Sequence, residues 1–366
     1  MEVLDPCFGK DGQARRQVIE RCGSVLVLAL ESDLHADAVV YQLSNLGVPV
    51  VRIDPTVDRY LPKCVRISFN GSPKAEYEFA DGAHICLGEV AGVLCRFAVD
   101  ALIPSESAPL SQFSKSEEIA AFLAPLRAIT TGRWINDPWC EARADCRILQ
   151  AYEAQMAGLN VPPFVVSTRY SDLLEFAAAQ RDGCVIKPIS DVALARVSGE
   201  FIEPGCLSTD QFCAPYAAVF EPLHTESVQQ LDSTPSLVQA HVRKKLDVRA
   251  TVIDDKVFSA AMPVAEDAPI DFRRVTDIQV TPFDLPEKTQ RSLVALVSAL
   301  NLRFASCDLV VDSDGAAHFL EANVSGNWLW TEIGGDLPIS RAIAEALINP
   351  VLRTSPRVFN IADPVR

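Results

Sequence analysis

The chain has 366 residues, 49% of them hydrophobic, and a formal charge of −15 from 33 basic and 48 acidic side chains. That length exceeds what one hydrophobic core ordinarily serves, so two or three domains are expected. The acidic balance argues against a general nucleic-acid surface, and no apolar run approaches the ~18 residues of a membrane span.

The opening stretch MEVLDPCFGKDGQARRQVIERC carries charges throughout and has no apolar centre, so it does not read as a signal peptide. The 11 cysteines are scattered singly, with no CxxC pair. Reduced thiols serving as small hydrophobes in a cytoplasmic protein are the expectation.

SVLVLAL, residues 24–30, is a short continuous apolar run, the pattern of a buried parallel strand. Residues 34–47 have apolar positions three and four apart and end at Gly47, which predicts a helix with a glycine stop. VPVVRID, 48–54, predicts a second strand. Strand, helix, strand opens an α/β domain, without the GxGxxG of a dinucleotide site.

Residues 65–69 and 75–79 predict a hairpin, and 92–97 another strand. Residues 114–130 predict a helix. WINDPW, 134–139, reads as a polar turn at a domain boundary, followed by one amphipathic helix over 141–158. A strand over 161–168, a helix over 171–180 and a strand over 184–189 come next. The stretch 190–230 has no clear pattern.

From 237 the pattern sharpens. It predicts strands over 237–242, 248–254 and 256–262, the last two a hairpin about Asp254 and Asp255. A helix over 285–302 has Pro286 at its start. Residues 305–324 predict two strands joined at Ser313-Asp314-Gly315. A helix over 338–349 closes the series.

Three groups of residues point to chemistry. Asp308 and Glu321 can face each other across the last hairpin, and Asn323 shares a strand face with Glu321. Three oxygen donors from two strands suit Mg²⁺, which takes a few carboxylate or amide oxygens plus phosphate; the competing reading is a strand cap beside a polar turn. Lys187 interrupts the apolar run CVIKPI, which a phosphate partner or a wet strand face would each explain. In HVRKKLDVRATV, 241–252, basic residues surround Asp247, and Arg273 and Arg274 follow. These form either a cradle for phosphate or carboxylate, or a solvated basic turn. Trp328 and Trp330 fit either core or the wall of a substrate site. No HExxH, GxSxG or P-loop motif is present.

FLEANVSGNWLWTE, read with QAHVRKKLDVRATVIDDKVFSAAM, resembles the ATP-grasp superfamily. More narrowly it is similar to the microviridin-type or graspetide ligases, which cross-link side chains in ribosomally made precursor peptides. The resemblance spans roughly residues 24–349 and is most specific in its C-terminal motifs.

It implies an α/β ATP-grasp fold: an N-terminal pre-ATP-grasp α/β domain over 24–133, a central α+β subdomain over 134–236 and a C-terminal α+β subdomain over 237–352. It implies that Lys187 contacts ATP phosphates and that Gln239, Ala240, His241 and Val242 form the strand at the adenine. Asp247 and Arg249 match a D-x-R element with Arg249 near the moving phosphate, and Arg273 matches a further phosphate contact. Asp308, Glu321 and Asn323 match the Mg²⁺ ligands.

Such enzymes phosphorylate an Asp or Glu side chain, then let a hydroxyl or amine displace phosphate. The implied partners are ATP, Mg²⁺, a precursor peptide and a second copy of the chain, with neither nucleic acid nor membrane. Arg147, in DCRILQA, stands where relatives carry a phosphate-binding lysine, so the resemblance implies a cofactor contact from Arg147 that keeps the charge but changes its geometry. LCRFAVD replaces a more aromatic and basic run, and PISDVALARVSG is poor in glycine. Two alternatives share these residues: a ligase of the glutamate-adding kind, acting on a small molecule or a protein terminus, and a nucleotide-binding regulator without catalysis.

Overall fold

The computed structural model describes residues 23–54, 57–60, 62–70, 72–79, 84–96, 134–187, 189, 194–195, 212–213, 218–220, 235–265 and 278–349. The expected helix over 114–130, most of 190–230, and Arg273 with Arg274 lie outside them.

Strands β1 (Val25–Leu28), β2 (Val50–Ile53), β6 (Gly92–Cys95) and β7 (Trp134–Ile135) form a parallel sheet in the order β2-β1-β6-β7. Helix α1 (Leu34–Asn45) links β1 to β2; Asp33 caps it by accepting from His35 N and Ala36 N at 2.9 and 3.1 Å. Val25 and Val27 of β1 enter one cluster with Ala36, Val39 and Leu43 of α1. Leu26 and Leu28 enter the opposite cluster with Tyr77, Ile85 and Val93. Both faces are therefore covered, which is why β1 reads as a continuous apolar run.

The second cover is a three-stranded antiparallel sheet, β3 (Cys64–Asn70), β4 (Ser72–Glu78) and β5 (His84–Cys86). The predicted hairpin is thus longer than expected and gains a third strand.

WINDPW is not a simple turn. Trp134 and Ile135 complete the first sheet, so the boundary placed at 134 cuts it. Asp137 then caps helix α2 (Pro138–Ala144). The single helix expected over 141–158 is two: α2, and α3 (Arg147–Met156). Asp145 leaves the helical basin, and the Gln150 side chain donates to the freed Ala144 carbonyl at 2.9 Å.

The central sheet comprises β8 (Phe164–Ser167), β9 (Cys184–Lys187), β12 (Ala218–Val219) and β13 (Ser236–Ala240), antiparallel in the order β12-β9-β13-β8. Helix α4 (Tyr170–Ala178) packs on it through Tyr170 and Leu173. Two short strands, β10 (Leu194–Ala195) and β11 (Phe212–Cys213), pair with each other. The boundary placed at 236 falls inside β13, which hydrogen-bonds to both β8 and β9.

The last sheet contains β14 (Lys244–Ile253), β15 (Lys256–Pro263), β16 (Thr281–Pro282), β17 (Phe304–Asp312) and β18 (Ala317–Asn323), in the order β16-β15-β14-β17-β18. Val248, Ala250, Val252, Cys307, Leu309 and Val311 form its apolar face. Helix α5 (Glu287–Ala299) covers that face with Leu293, Leu296 and Val297. Alternation along the strands sends Asp247, Arg249 and Thr251 of β14, and Ser306 and Asp308 of β17, to the other face. Cys307 is a buried free thiol, and burial pushes its pKa up to about 12, as a cysteine used as a small hydrophobe requires.

Helices α6 (Leu329–Gly335) and α7 (Ile339–Ile348) end the described chain. Helix α7 returns to the first sheet, where Ile339, Ile343 and Leu347 join the α1 cluster. The approach is close enough that a Cβ on Gly92 would lie 2.4 Å from the Leu347 carbonyl oxygen. Gly92→Ala should therefore lower the unfolding free energy by about 1–3 kcal/mol, the usual cost of overpacking. Denaturant titration checks this, and an unchanged midpoint would contradict the packing described.

Candidate active site

The β17–β18 hairpin is built by its turn. Asp312 Oδ1 accepts from Asp314 N and Ala316 N, both at 2.9 Å, and Gly315 takes a φ of +82°. The register then pairs Asp308 with Glu321, with a shift between Asp308 and Leu309. That bulge matters. Phe319 and Ala322 both belong to the apolar face, although three residues apart. Strict alternation forbids this, and the extra residue, Leu320, turns Glu321 and Asn323 to the polar side.

Strand β14 extends the row, pairing Arg249 with Asp308. Arg249 Nη1 donates to Asp308 Oδ1 at 2.5 Å, and Asn323 Nδ2 donates to Asp308 Oδ2 at 2.9 Å. From the other side, Arg147 Nε donates to Glu321 Oε2 at 2.8 Å. The row thus reads Arg249, Asp308, Glu321, Arg147, drawn from three strands and the first turn of α3.

The Asp308 side chain is 13% exposed. Burial pushes its pKa up, Arg249 pulls it down and the neighbouring Glu321 charge pushes it up again, for a net rise. Arg249 is buried; its guanidinium lies 5.9 Å from the Trp330 ring, and its Nε has no hydrogen-bond partner among the described residues. A buried, unpaired N–H is costly unless something accepts from it.

Two carboxylates and one amide oxygen on one face of the sheet fit Mg²⁺, which takes one or two protein carboxylates and completes its shell with phosphate oxygens and water. They do not suit a metal needing a larger protein cage: among the described residues there is no cluster of three or more His, Cys, Asp or Glu able to hold one.

The other expected residues divide. Asp247 stays on the polar face but is held by Lys244 Nζ, at 2.7 and 2.8 Å. Lys187 and Gln239 sit on adjacent strands of the central sheet, where Lys187 Nζ donates to Gln239 Oε1 at 2.9 Å. Ala240 ends β13, and His241 and Val242 lie in the link to β14. That link connects the strand of Gln239 to strand β14, which carries Arg249. Arg273 lies outside the described residues.

Several residues of the site gave no signal of their own in the sequence. Gln150 is one helical turn after Arg147, on the same face of α3. Its side chain donates to the Ala322 carbonyl at 2.8 Å and accepts from Ala322 N at 2.9 Å. It pairs the free edge of β18 between the two expected ligands, as another strand would. Asn136 does the same work at the strand ends, donating to the Phe304 and Val324 carbonyls and accepting from Arg303 N and Phe304 N. It also donates to Glu141 Oε1 at 3.2 Å, and burial pushes the Glu141 carboxyl up to about 7. Trp328 is core: buried, with its indole N–H donating to Ser340 Oγ at 2.9 Å.

The sequence matches no family model and no curated protein. Solved structures do match. A Chryseobacterium gregarium RiPP-associated ATP-grasp ligase, in complex with ADP and a leader and core peptide, superposes with a TM-score of 0.75 at 21% identity, over 92% of this chain and 99% of that one. The chain has the ATP-grasp fold. The macrocyclase MdnC of Microcystis aeruginosa MRC, bound with precursor peptide MdnA, gives a TM-score of 0.69 at 22% identity, over 89% of this chain and 99% of that one. The ATP-grasp ligase PsnB, complexed with minimal precursor, Mg and ADP, gives 0.65 at 19% identity, over 89% and 97%. The expected multi-domain α/β ATP-grasp architecture therefore holds, while the helix break at Asp145 and the strand at Trp134 correct its details.

Replacing Gln150 by leucine leaves three backbone groups, Ala322 N–H, Ala322 C=O and Ala144 C=O, without their partner. Gln150→Leu should cost about 1–3 kcal/mol of stability and raise hydrogen exchange at Ala322. Exchange at Ala322 equal to that of the parent chain would contradict this.

Proposed function

We propose that the chain is an ATP-dependent ligase that closes ester or amide links between side chains of a ribosomally made precursor peptide. The observation that carries this reading is the row Arg249–Asp308–Glu321–Arg147, completed by Asn323, on the polar face of an ATP-grasp sheet. Asp308, Glu321 and Asn323 are the residues that would hold Mg²⁺, which when bound neutralises nucleotide phosphate charge. Peptide complexes of similarly folded ligases support the choice of substrate class.

In this reading a peptide carboxylate oxygen attacks the γ-phosphorus of ATP, ADP leaves, and an acyl phosphate forms. A hydroxyl or amine of the same peptide then attacks the acyl carbon and expels phosphate. Each link thereby removes one water from the peptide. Arg249, whose Nε has no hydrogen-bond partner among the described residues, would be a fixed donor to the charge that develops on the moving group. Lys187 serves as a phosphate-binding point charge released from Gln239. Gln239 to Val242 hold the adenine, and Arg273 adds a phosphate contact. Arg147 holds Glu321 in place through their 2.8 Å ion pair. The reading includes a homodimer in the cytoplasm; among the described residues, no helix is long and apolar enough to cross a membrane.

The test mixes the chain with ATP, Mg²⁺ and a short precursor peptide encoded beside its gene. Mass spectrometry should show loss of one water per link, dependent on ATP. Asp308→Ala and Glu321→Ala should abolish it, and Arg249→Ala should slow it by about 10²-fold or more. An intact peptide of unchanged mass, with ATP consumed on added small carboxylates and amines, would favour the glutamate-adding kind of ligase. ATP bound and never turned over would favour the regulator.

A further inference from the structure

The first sheet reaches the site at one point. From β1 the chain moves outward to β2, and it later returns to the other side of β1 as β6. The winding direction reverses between β1 and β6, and their carboxyl ends frame the crevice that such a reversal creates. Asp33 and His35 follow β1 there, and Arg96 follows β6.

Arg96 is enclosed, with 9% of its side chain exposed, and uses every edge of its guanidinium. Nε donates to Asp33 Oδ2 at 3.0 Å, leaving Oδ1 for the cap of α1. Nη1 donates to the Ser325 carbonyl at 2.9 Å, and Nη2 to Asn327 Oδ1 at 3.2 Å. The guanidinium carbon lies 4.9 Å from the Trp328 ring centroid. His35 Nδ1 accepts from Trp328 N at 3.3 Å, and burial with the Arg96 charge holds the imidazole pKa down, which keeps that acceptor available.

Ser325–Trp328 follows the end of β18 at Asn323, with Val324 between. Gly326 within it lies so close to the row that a Cβ there would be 2.8 Å from Ser306 Cβ and 3.0 Å from Asn323 Cβ. The segment is therefore pressed against Asn323 on one side and held by Arg96 on the other. The segment has no room to move toward Asn323 without displacing it.

We propose that Arg96 is a positioning residue for the carboxylate row: it uses the first sheet as an anchor to fix segment Ser325–Trp328, and through Gly326 it fixes Asn323 and its hold on Asp308. This rests on the metal reading given under Proposed function. The role is long-range, joining residues 229 and 231 positions apart, and it makes the pre-ATP-grasp sheet part of the catalytic apparatus without its touching nucleotide.

The full chain tests it with Mn²⁺ as the probe. Hydrogen exchange is followed by mass spectrometry over peptides covering 321–330, and Mn²⁺ affinity in the presence of ADP is read by electron paramagnetic resonance. In Arg96→Ala, exchange over 324–328 should rise by about tenfold, the scale of losing charge-assisted hydrogen bonds, while the central sheet exchanges as before. The Mn²⁺ dissociation constant should rise by a similar factor, and Arg96→Lys should recover part of both. Should Arg96→Ala fail to fold, Asn327→Ala removes one acceptor from the exposed side and carries the same expectation in smaller measure. Exchange that rises uniformly through the chain, or Mn²⁺ affinity that stays unchanged while the segment loosens, would overturn the proposal. A parent chain that takes up no Mn²⁺ with ADP overturns the metal reading itself and this role with it. A parent chain that binds Mn²⁺ as well as Arg96→Ala does overturns this role alone.

Discussion

Asp308 and Glu321 are direct partners across adjacent strands. Like charges so placed repel, and partial burial raises the cost of ionising either. The raised pKa of Asp308 records both effects. What holds the pair together is a guanidinium on each flank, Arg249 from β14 and Arg147 from α3, with the Asn323 amide donating to the second oxygen of Asp308. Removing either arginine would leave a partly buried carboxylate without its compensating charge, which costs far more than an exposed ion pair contributes.

Much of the surrounding structure follows from this arrangement. Glu321 faces the polar side because β18 carries a bulge after Phe319. Arg147 meets Glu321 because α3 begins at that residue, and it begins there because the helix breaks at Asp145. Gln150 closes the break at Ala144 and pairs Ala322 with the same side chain. Asn136 and Arg96 then hold the two ends of the hairpin from the side of the first sheet. The apolar face of the same five-stranded sheet supplies the rigidity: Leu293, Leu296, Leu302 and Leu309 are all almost fully buried beneath it.

Legibility in the sequence followed the range of the interaction. Val25–Leu28 could be read as a parallel strand because burial on both faces writes an unbroken apolar run. The pairing of Asp308 with Glu321 was readable because a short turn brings two clear strands together. The bulge was not, since nothing in AHFLEAN distinguishes Leu320 as the extra residue until Phe319 and Ala322 are seen to share a face. The break at Asp145 was hidden by a helical pattern that continues through it. Asn136 and Arg96 act on carbonyls 168 to 229 positions away, and no local period encodes such a bond. Trp328 was ambiguous alone and became core once Ser340, Phe304 and His35 were found around it. Trp134 and Ser236 likewise belong to sheets whose other strands lie far off in sequence, so their pairing is not written locally.

The central claim is that the Asp308 row is a metal-phosphate site assembled by the fold. Crystallography of the full chain with ADP and Mn²⁺ tests it most directly, through the anomalous signal of the metal. The account predicts a peak within ligand distance of Asp308, Glu321 and Asn323, beside the ADP phosphates, with Arg249 turned toward them. Nucleotide bound with its metal away from these three residues would contradict it.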